Sequence, residues 1–277
     1  MKSVLITGCS SGIGLCLAHG LKQKGYMVFA TARDDADVKN LKNIGFDACK
    51  LDLSSSDSIN EAVSYIYSKV DSLYALINNG AYGQVGALED ISRGVLESQF
   101  QTNVFGWHEL TNLILPQMKI NNTGRIIYLS SVLGFVAMPF RGAYNSSKFA
   151  IEGLVDTLRL ELASTNIQLS LIQPGPIESE FRANAYKAFV KNVDMNSSDY
   201  QKSYEKMIKR LNSDELADFT LPAEAVLKCT IHALEAKTAK IHYFVTFPTK
   251  LFAALKRILP PILMDKILNK AGGGGAR

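Results

Sequence analysis

Four cysteines (Cys9, Cys16, Cys49 and Cys229) are too few and too scattered to form a CxxC pair, and the four histidines form no HExxH. Those absences leave reduced, structural thiols and no metal site as the expectation. Long apolar runs are missing too: no window approaches the roughly 18 uninterrupted apolar residues of a spanning helix. The four-residue apolar run in MKSVLITG is too short for a signal-peptide core, so a cytoplasmic protein is expected. Charge of one sign is also scarce. Thirty Lys and Arg against 26 Asp and Glu leave a net charge of +4, largely interleaved, which argues against nucleic acid as a partner.

What is present is ordinary globular composition, 47% hydrophobic and 20% charged, over 277 residues. Candidate strands lie at 3–7, 26–31, 46–51, 74–79, 125–130, 167–173 and 241–247. Between most of them are amphipathic stretches such as 12–24, 56–70, 95–119 and 145–164. That alternation predicts an α/β fold with a doubly wound parallel sheet. With no linker dividing it, the chain reads as one domain over 1–277. Two segments break the rhythm. A polar excursion at 178–221 is expected to be a helical lid. A stretch at 248–269, LFAALKRILPPILMDKIL within it, is apolar and basic together, and 271–277 reads as a flexible tail.

The first strand runs into TGCSSGIG, residues 7–14, and then a helix. Gly8, Gly12 and Gly14 allow a tight turn, close backbone approach to a ligand, and close helix–strand packing. Exposed N–H groups at the helix start suit a pyrophosphate. The loop lacks the Lys-Ser/Thr ending of a P-loop, which disfavours nucleoside-triphosphate hydrolysis. The second strand lacks the terminal acid that accepts a ribose 2′-hydroxyl. Ala32 stands there and Arg33 follows, which favours NADP over NAD. The alternative for Arg33 is an ordinary surface residue. Asp52, in LDLSS, is either an adenine contact or a helix N-terminal acid.

In YNSSK, Tyr144 and Lys148 share one helical face with Ile151, Val155, Leu158 and Leu162. Lys148 either snorkels to solvent or is held in a cleft. A free tyrosine titrates about three units above neutrality, a gap of roughly 4 kcal/mol. An ammonium about 4 Å away supplies a similar amount at an effective dielectric of about 20, with desolvation opposing it. Ser131, thirteen residues earlier, either hydrogen-bonds a substrate carbonyl or is a turn serine. Asn103 lies on a candidate helical stripe with Phe100, Trp107, Leu110 and Ile114, as a satisfied core amide or part of a proton path.

TGCSSGIG, LDL, NNGAYG (78–83), Asn103, Ser130-Ser131, YNSSK and PGPIES (174–179) together resemble the short-chain dehydrogenase/reductase family over roughly residues 2–247. The resemblance is greatest to the branch holding bacterial NADP-dependent aldehyde reductases, retinol dehydrogenases and hydroxysteroid dehydrogenases. ATAR, GAYNSSKFAIEG, SLIQPGPI and KRILPPILMDKIL carry it. It implies a Rossmann-type sheet of about seven strands and a tetrad of Asn103, Ser131, Tyr144 and Lys148. Tyr144 would donate the proton, Ser131 orient the carbonyl, Lys148 hold the nicotinamide ribose and lower the tyrosine pKa, and Asn103 anchor a water. NADP(H) would meet Gly8, Ser10, Ser11, Gly12, Ile13 and Gly14 in the loop. Arg33, Asp52, Leu53 and Asn79 would meet it beyond the next strands, and Pro174, Gly175, Ile177 and Ser179 after the sixth. The family usually reads Asn-Asn-Ala-Gly where Asn78-Asn79-Gly80-Ala81 stands, and often has threonine at Ser179.

The expected activity is NADPH-dependent reduction of aldehydes or ketones on apolar substrates, whether retinal-like, steroid-like or medium- to long-chain. Alternatives are an NADP-linked alcohol or hydroxysteroid dehydrogenase, an acyl-chain ketoreductase, and a dinucleotide-binding sensor without catalysis. A homodimer or homotetramer through 95–119 and 145–164 is implied. The 248–269 segment packs on the pocket or a partner subunit, or makes a peripheral membrane contact.

Overall fold

Alternation along the strands decides how the layers form. In β1 (Ser3–Ile6), Val4 and Ile6 enter one apolar cluster while Leu5 enters the other. A strand buried on both faces needs helices on both, and the chain supplies them. The computed structural model describes residues 1–213 and 215–273. It contains β2 (Met27–Ala32), β3 (Asp47–Lys50), β4 (Ala75–Asn78), β5 (Gly124–Leu129), β6 (Ile167–Gln173) and β7 (His242–Phe244). All pair in parallel, in the order β3-β2-β1-β4-β5-β6-β7.

Helices α1 (Gly12–Gln23), α2 (Asp35–Asn43) and α3 (Ser56–Tyr67) follow the first three strands. After β4 come α4 (Arg93–Phe100) and α5 (Gly106–Ile120), and after β5 comes α6 (Gly142–Glu161). The segment beyond β6 holds α7 (Phe181–Asn192), α8 (Gln201–Leu211) and α9 (Glu224–Glu235); α10 (Phe247–Ile258) and α11 (Pro261–Gly272) end the chain. One face of the sheet is covered by α1, α2 and α9, through Leu17, Leu41 and Val226. The other is covered by α3, α5 and α6, through Ile59, Trp107 and Ile151. The result is the doubly wound, single-domain α/β architecture that the apolar periodicity predicts.

The polar excursion is helical as expected. Its base is closed by backbone bonds, Glu178 N to Leu221 O (3.0 Å) and Leu221 N to Pro176 O (3.2 Å). Its own small core joins Phe189 and Tyr204 to Val85 and Ala87. Three expectations need correction. The seventh strand ends at Phe244, because the chain turns into α10 at Thr246, where the Thr246 and Thr249 hydroxyls pair at 2.9 Å. Residues 271 and 272, expected in a flexible tail, complete α11, and 274–277 lie outside the described residues. The stretch 95–119 is not one α-helix. A π-helical turn, Gln101–Phe105, separates α4 from α5.

That turn brings the chain very close to the end of β3. A Cβ on Gly106 would lie 2.0 Å from the Leu53 carbonyl oxygen, a backbone atom that cannot yield cheaply. Alanine gains about 1 kcal/mol of helix propensity over glycine. Overpacking costs about 1–3 kcal/mol and more where backbone must move. The clash wins. Gly106→Ala is expected to lower stability by about 2 kcal/mol, read as a lower urea midpoint; an unchanged or higher midpoint would show that α5 does not sit this close to Leu53.

Candidate active site

Strand order reverses between β1 and β4, and an open α/β sheet binds its ligand at the carboxyl ends of strands flanking such a point. Here the two strand ends are sewn together. Thr7 Oγ1 accepts hydrogen bonds from the Asn79 and Gly80 backbone N–H groups at 2.9 and 2.8 Å. The Asn79 side-chain amide donates to the carbonyls of Thr7 (2.8 Å) and Gly8 (2.9 Å). Asn79 therefore braces the glycine loop from below.

The loop is built on close approach. Gly8 has φ +70°, and a Cβ there would meet Gly80 Cα at 2.6 Å; one on Gly14 would meet the Gly8 carbonyl oxygen at 2.0 Å. Gly12, at φ +53°, lies against Ser179, whose Cβ would be 3.1 Å from an added Cβ. The loop and the segment after β6 thus meet at Gly12. At the start of α1, Ser11 makes no side-chain cap and the first turn carries no acid. Its N–H groups are left to an external anion, so the chain fits a dinucleotide pyrophosphate between Ser10 and Gly14.

Farther along, Arg33 follows the end of β2 with its side chain 70% exposed and 3.4 Å from the Asp34 carboxylate. The neighbouring Asp34 is a competitor that the pattern Ala-Arg did not reveal. Asp52 Oδ1 accepts from the Ser54 N–H (2.9 Å) and hydroxyl (2.7 Å). Asp52 thus closes a local turn with Ser54 and stands three residues before Ser55, which is the residue that caps α3 by accepting from Ser58 N–H. Leu53 is buried against Gly80. Beyond β6, the Pro174 carbonyl accepts from Val132 N–H at 2.8 Å, tying this turn to the serine segment. Gly175 faces Thr246, whose hydroxyl would be 2.2 Å from an added Cβ.

Ser131, Tyr144 and Lys148 converge at the end of β5. Ser131 is extended (φ −165°), and its hydroxyl accepts from Leu133 N–H at 3.1 Å while hydrogen-bonding the Tyr144 phenol. Tyr144 sits in an apolar cluster with Val132, Val136, Phe252, Met264 and Leu268. Burial pushes its pKa up to about 12, with the Ser131 bond pulling the other way. Lys148 is 1% exposed. Its ammonium donates to the Leu129 carbonyl at 2.7 Å, 4.2 Å from the Trp107 ring centroid and 5.7 Å from that of Tyr144. The cleft alternative, not snorkelling, is what the fold builds.

Of the two opposing effects expected, the lysine's field and desolvation, burial is the larger here: it raises the Tyr144 pKa and drives that of Lys148 down to about 7, with Glu152 opposing. Spacing on a helix gives no measure of depth, and depth decides the sign here.

Asn103 lies in the π turn, fully buried. Its amide donates to the Tyr82 carbonyl (2.9 Å) and the Ser147 hydroxyl (3.2 Å), and its oxygen accepts from Tyr82 N–H (3.2 Å). The satisfied-amide alternative fits this geometry, with Asn103 and Gln99 clamping the loop after β4.

Three functional neighbours escaped the sequence reading. Trp107 donates its indole N–H to Gly80 (2.8 Å) and offers its ring to Lys148. Glu152, one turn beyond Lys148, is partly buried and held by Ser130 and by Gln173 (2.9 and 3.0 Å); desolvation pushes its pKa up. Its spacing, i+4 from Lys148, was the available signal. Phe181 stacks edge-on against Tyr144 at 5.2 Å and fills the space beside Gly83, covering the phenol. A separate cleft of about 460 Å3 beside Met138, Pro139 and Leu268 is lined by neither Ser131 nor Tyr144.

A buried tyrosine, serine and lysine thus stand beside a glycine loop suited to a dinucleotide, at the switch-point edge of a doubly wound sheet. The family model described as short chain dehydrogenase matches residues 2–189. The chain belongs to the short-chain dehydrogenase/reductase family. Over 269 residues it is 42% identical to the Escherichia coli (strain K12) protein named Uncharacterized oxidoreductase YbbO, covering 97% of this chain and 94% of that one. It is 40% identical to human Retinol dehydrogenase 8 over 190 residues, 65% of this chain and 60% of the relative. It is 30% identical to the NADPH-dependent 3-dehydrocapnine reductase of Ornithobacterium rhinotracheale over 98% of this chain and 97% of the relative. It is therefore an oxidoreductase acting on carbonyl or alcohol groups with a nicotinamide dinucleotide.

Burying Lys148 has a stability consequence whose sign is fixed. The unfolded lysine binds its proton up to about pH 10.5 and the folded one only to about 7. Between those values the unfolded state holds more protons, so the cost of burial is full below pH 7 and fades as pH rises to 10.5. Lys148→Met is expected to stabilise the fold by about 2–4 kcal/mol at pH 7, with the gain shrinking toward pH 10. Paired urea titrations of both proteins across that range would show it, and a pH-independent difference would contradict it.

Proposed function

We propose that this chain is a cytoplasmic NADP(H)-dependent reductase of aldehydes or ketones carried on apolar molecules. The carrying observation is the Tyr144 phenol, buried in an apolar cluster, bonded to Ser131 and protonated well beyond neutral pH. Burial keeps the proton on the phenol at pH 7, and its place beside the Ser131 hydroxyl puts that proton within reach of a carbonyl oxygen held there, which suits reduction. NADPH, when bound, supplies the hydride. A substrate carbonyl oxygen accepting from the Ser131 hydroxyl meets the Tyr144 hydroxyl, which gives up its proton as negative charge grows on that oxygen. Lys148 Nζ is the group beside Tyr144 that changes protonation near neutrality, so it can exchange a proton with the site. Asn103 holds the loop carrying Tyr82 and ties it to Ser147 on α6.

For the dinucleotide, the N–H groups from Ser10 to Gly14 would hold the pyrophosphate and Arg33 the 2′-phosphate. Asp52 and Leu53 would border the adenine, while Pro174, Gly175, Ile177 and Ser179 would border the nicotinamide. The absence of an acid at Ala32 and the NADPH dependence in the name of the Ornithobacterium relative favour NADP. An apolar substrate is supported by Val132, Val136, Phe252 and Met264 around Tyr144, and by the retinol relative. The 178–221 excursion would act as a lid, with Phe181 over the phenol. A homodimer or homotetramer would use exposed apolar residues on α6, Phe149, Leu154 and Leu160, together with Phe105.

The test is reduced-nicotinamide oxidation against medium-chain aldehydes, retinal, keto-steroids and a 3-oxoacyl thioester, with NADPH and with NADH. Turnover of one apolar class with NADPH is expected, and Arg33→Ala should raise the KM for NADPH about tenfold while leaving that for NADH within about twofold. Equal changes for both cofactors would remove Arg33 from the phosphate site, and no turnover of any carbonyl would overturn the reductase reading.

A further inference from the structure

The last two helices show two unlike faces. On α10, Thr249 and Phe252 turn inward, and on α11 Met264, Leu268 and Gly272 do; Phe252, Met264 and Leu268 pack in the cluster that holds Tyr144. The outward face of α10 carries Phe247, Leu251, Ala254 and Ile258, spaced i, i+4, i+7 and i+11 on one stripe. The outward face of α11 carries Ile262, Leu263 and Ile267. Ile258 is 77% exposed and Ile262 72%, on either side of Pro260-Pro261. Phe219, 59% exposed at the base of the excursion, extends the surface by packing on Phe247 at 5.3 Å. Large exposed apolar side chains gathered on two consecutive helices in this way mark an interaction surface.

Its charge says what the surface meets. Residues 247–273 carry Lys250, Lys256, Arg257, Lys266 and Lys270 against one acid, Asp265. That difference, five minus one, equals the +4 of the whole 277-residue chain, so the remaining residues are balanced. Lys256 is committed to the Phe135 carbonyl and the Phe149 ring. Lys250, Arg257 and Lys266 are exposed among the apolar stripes. A two-fold contact with a second copy would bring the same patch against itself, four net positive charges facing four. An anionic bilayer complements both features. Neither helix can span it: each has twelve residues, about 18 Å, against a hydrocarbon core of about 30 Å. Each can lie in the interface with its apolar stripe down and its cations at the headgroups.

We propose that α10 and α11 form a docking surface for anionic lipid bilayers, placing the pocket around Tyr144 one helix layer from the membrane. This deepens the reductase reading, on which its purpose rests: an apolar carbonyl dissolved in lipid would reach Tyr144 past the inner faces of the same two helices.

The experiment is co-sedimentation of the full-length protein with vesicles of phosphatidylcholine alone or of three parts phosphatidylcholine to one part phosphatidylglycerol. Binding to the anionic vesicles only, released in about 0.5 M salt, is expected. Each cation at such a surface is worth about fivefold in partitioning, so Lys250→Gln/Arg257→Gln/Lys266→Gln should lose about a hundredfold. Ile258→Glu/Ile262→Glu should lose at least about tenfold, with the melting temperature and turnover of a short, water-soluble aldehyde unchanged. Equal binding to both vesicle types, or binding that survives both variants, would overturn the proposal. So would variants that dissociate an oligomer, which would make the face an interface between copies. Vesicle binding requires no turnover, so an inactive protein that still binds would sink the reductase reading and leave the docking surface standing.

Discussion

The site depends on one unfavourable act, the removal of the Lys148 ammonium from water. Leaving a charge without solvent costs several kcal/mol unless polar groups replace the hydration. Here the replacements are few: the Leu129 carbonyl, the face of Trp107 and the field of Glu152. Each belongs to a different part of the fold. Leu129 ends β5, Trp107 opens α5 just after the π turn, and Glu152 is one turn down α6. The lysine's environment is therefore correct only when β5, α5 and α6 are all in register. A fold that holds such a residue gives up stability for chemistry, the usual exchange at an active site.

The same coupling explains why small residues gather around the site. Trp107 reaches Lys148 because its indole N–H is anchored on Gly80, and Gly80 must lie against Gly8 at the head of the loop. Thr7 and Asn79 lock those strand ends together. The dinucleotide side and the proton side of the site thus share one backbone seam between β1 and β4. The inverted order Gly80-Ala81 preserves it, because glycine stands where the Gly8 backbone approaches.

Much of the frame was legible as periodicity. The first six apolar runs became strands within a residue of their expected limits, β6 matching at both ends, whereas β7 stops three residues short. The π turn was not legible, since one extra residue in a helix leaves the apolar stripe nearly intact while rotating what precedes it. Asn103 was visible as a polar residue on that stripe; that it clamps Tyr82 was not, because its partner lies 21 residues away on a loop. Tyr144 and Lys148 were found by spacing and chemistry. The balance of their protonation was not legible, because the Coulomb attraction can be written from a sequence, whereas desolvation depends on packing from α5, α10 and α11. Phe181 went unseen for the same reason: its contact with Tyr144 exists only once the start of α7 has packed against the loop after β4 at Gly83.

The central claim is that the Tyr144 hydroxyl delivers the proton while the rest of the site binds and orients. Tyr144→Phe removes that oxygen alone and leaves the ring in its cluster. Turnover of an apolar aldehyde by this variant, measured beside its NADPH affinity by fluorescence titration, tests the claim most directly. The account expects turnover to fall by at least about a hundredfold with NADPH affinity within about twofold of the parent. Turnover near the parent rate, with the cofactor bound, would contradict it.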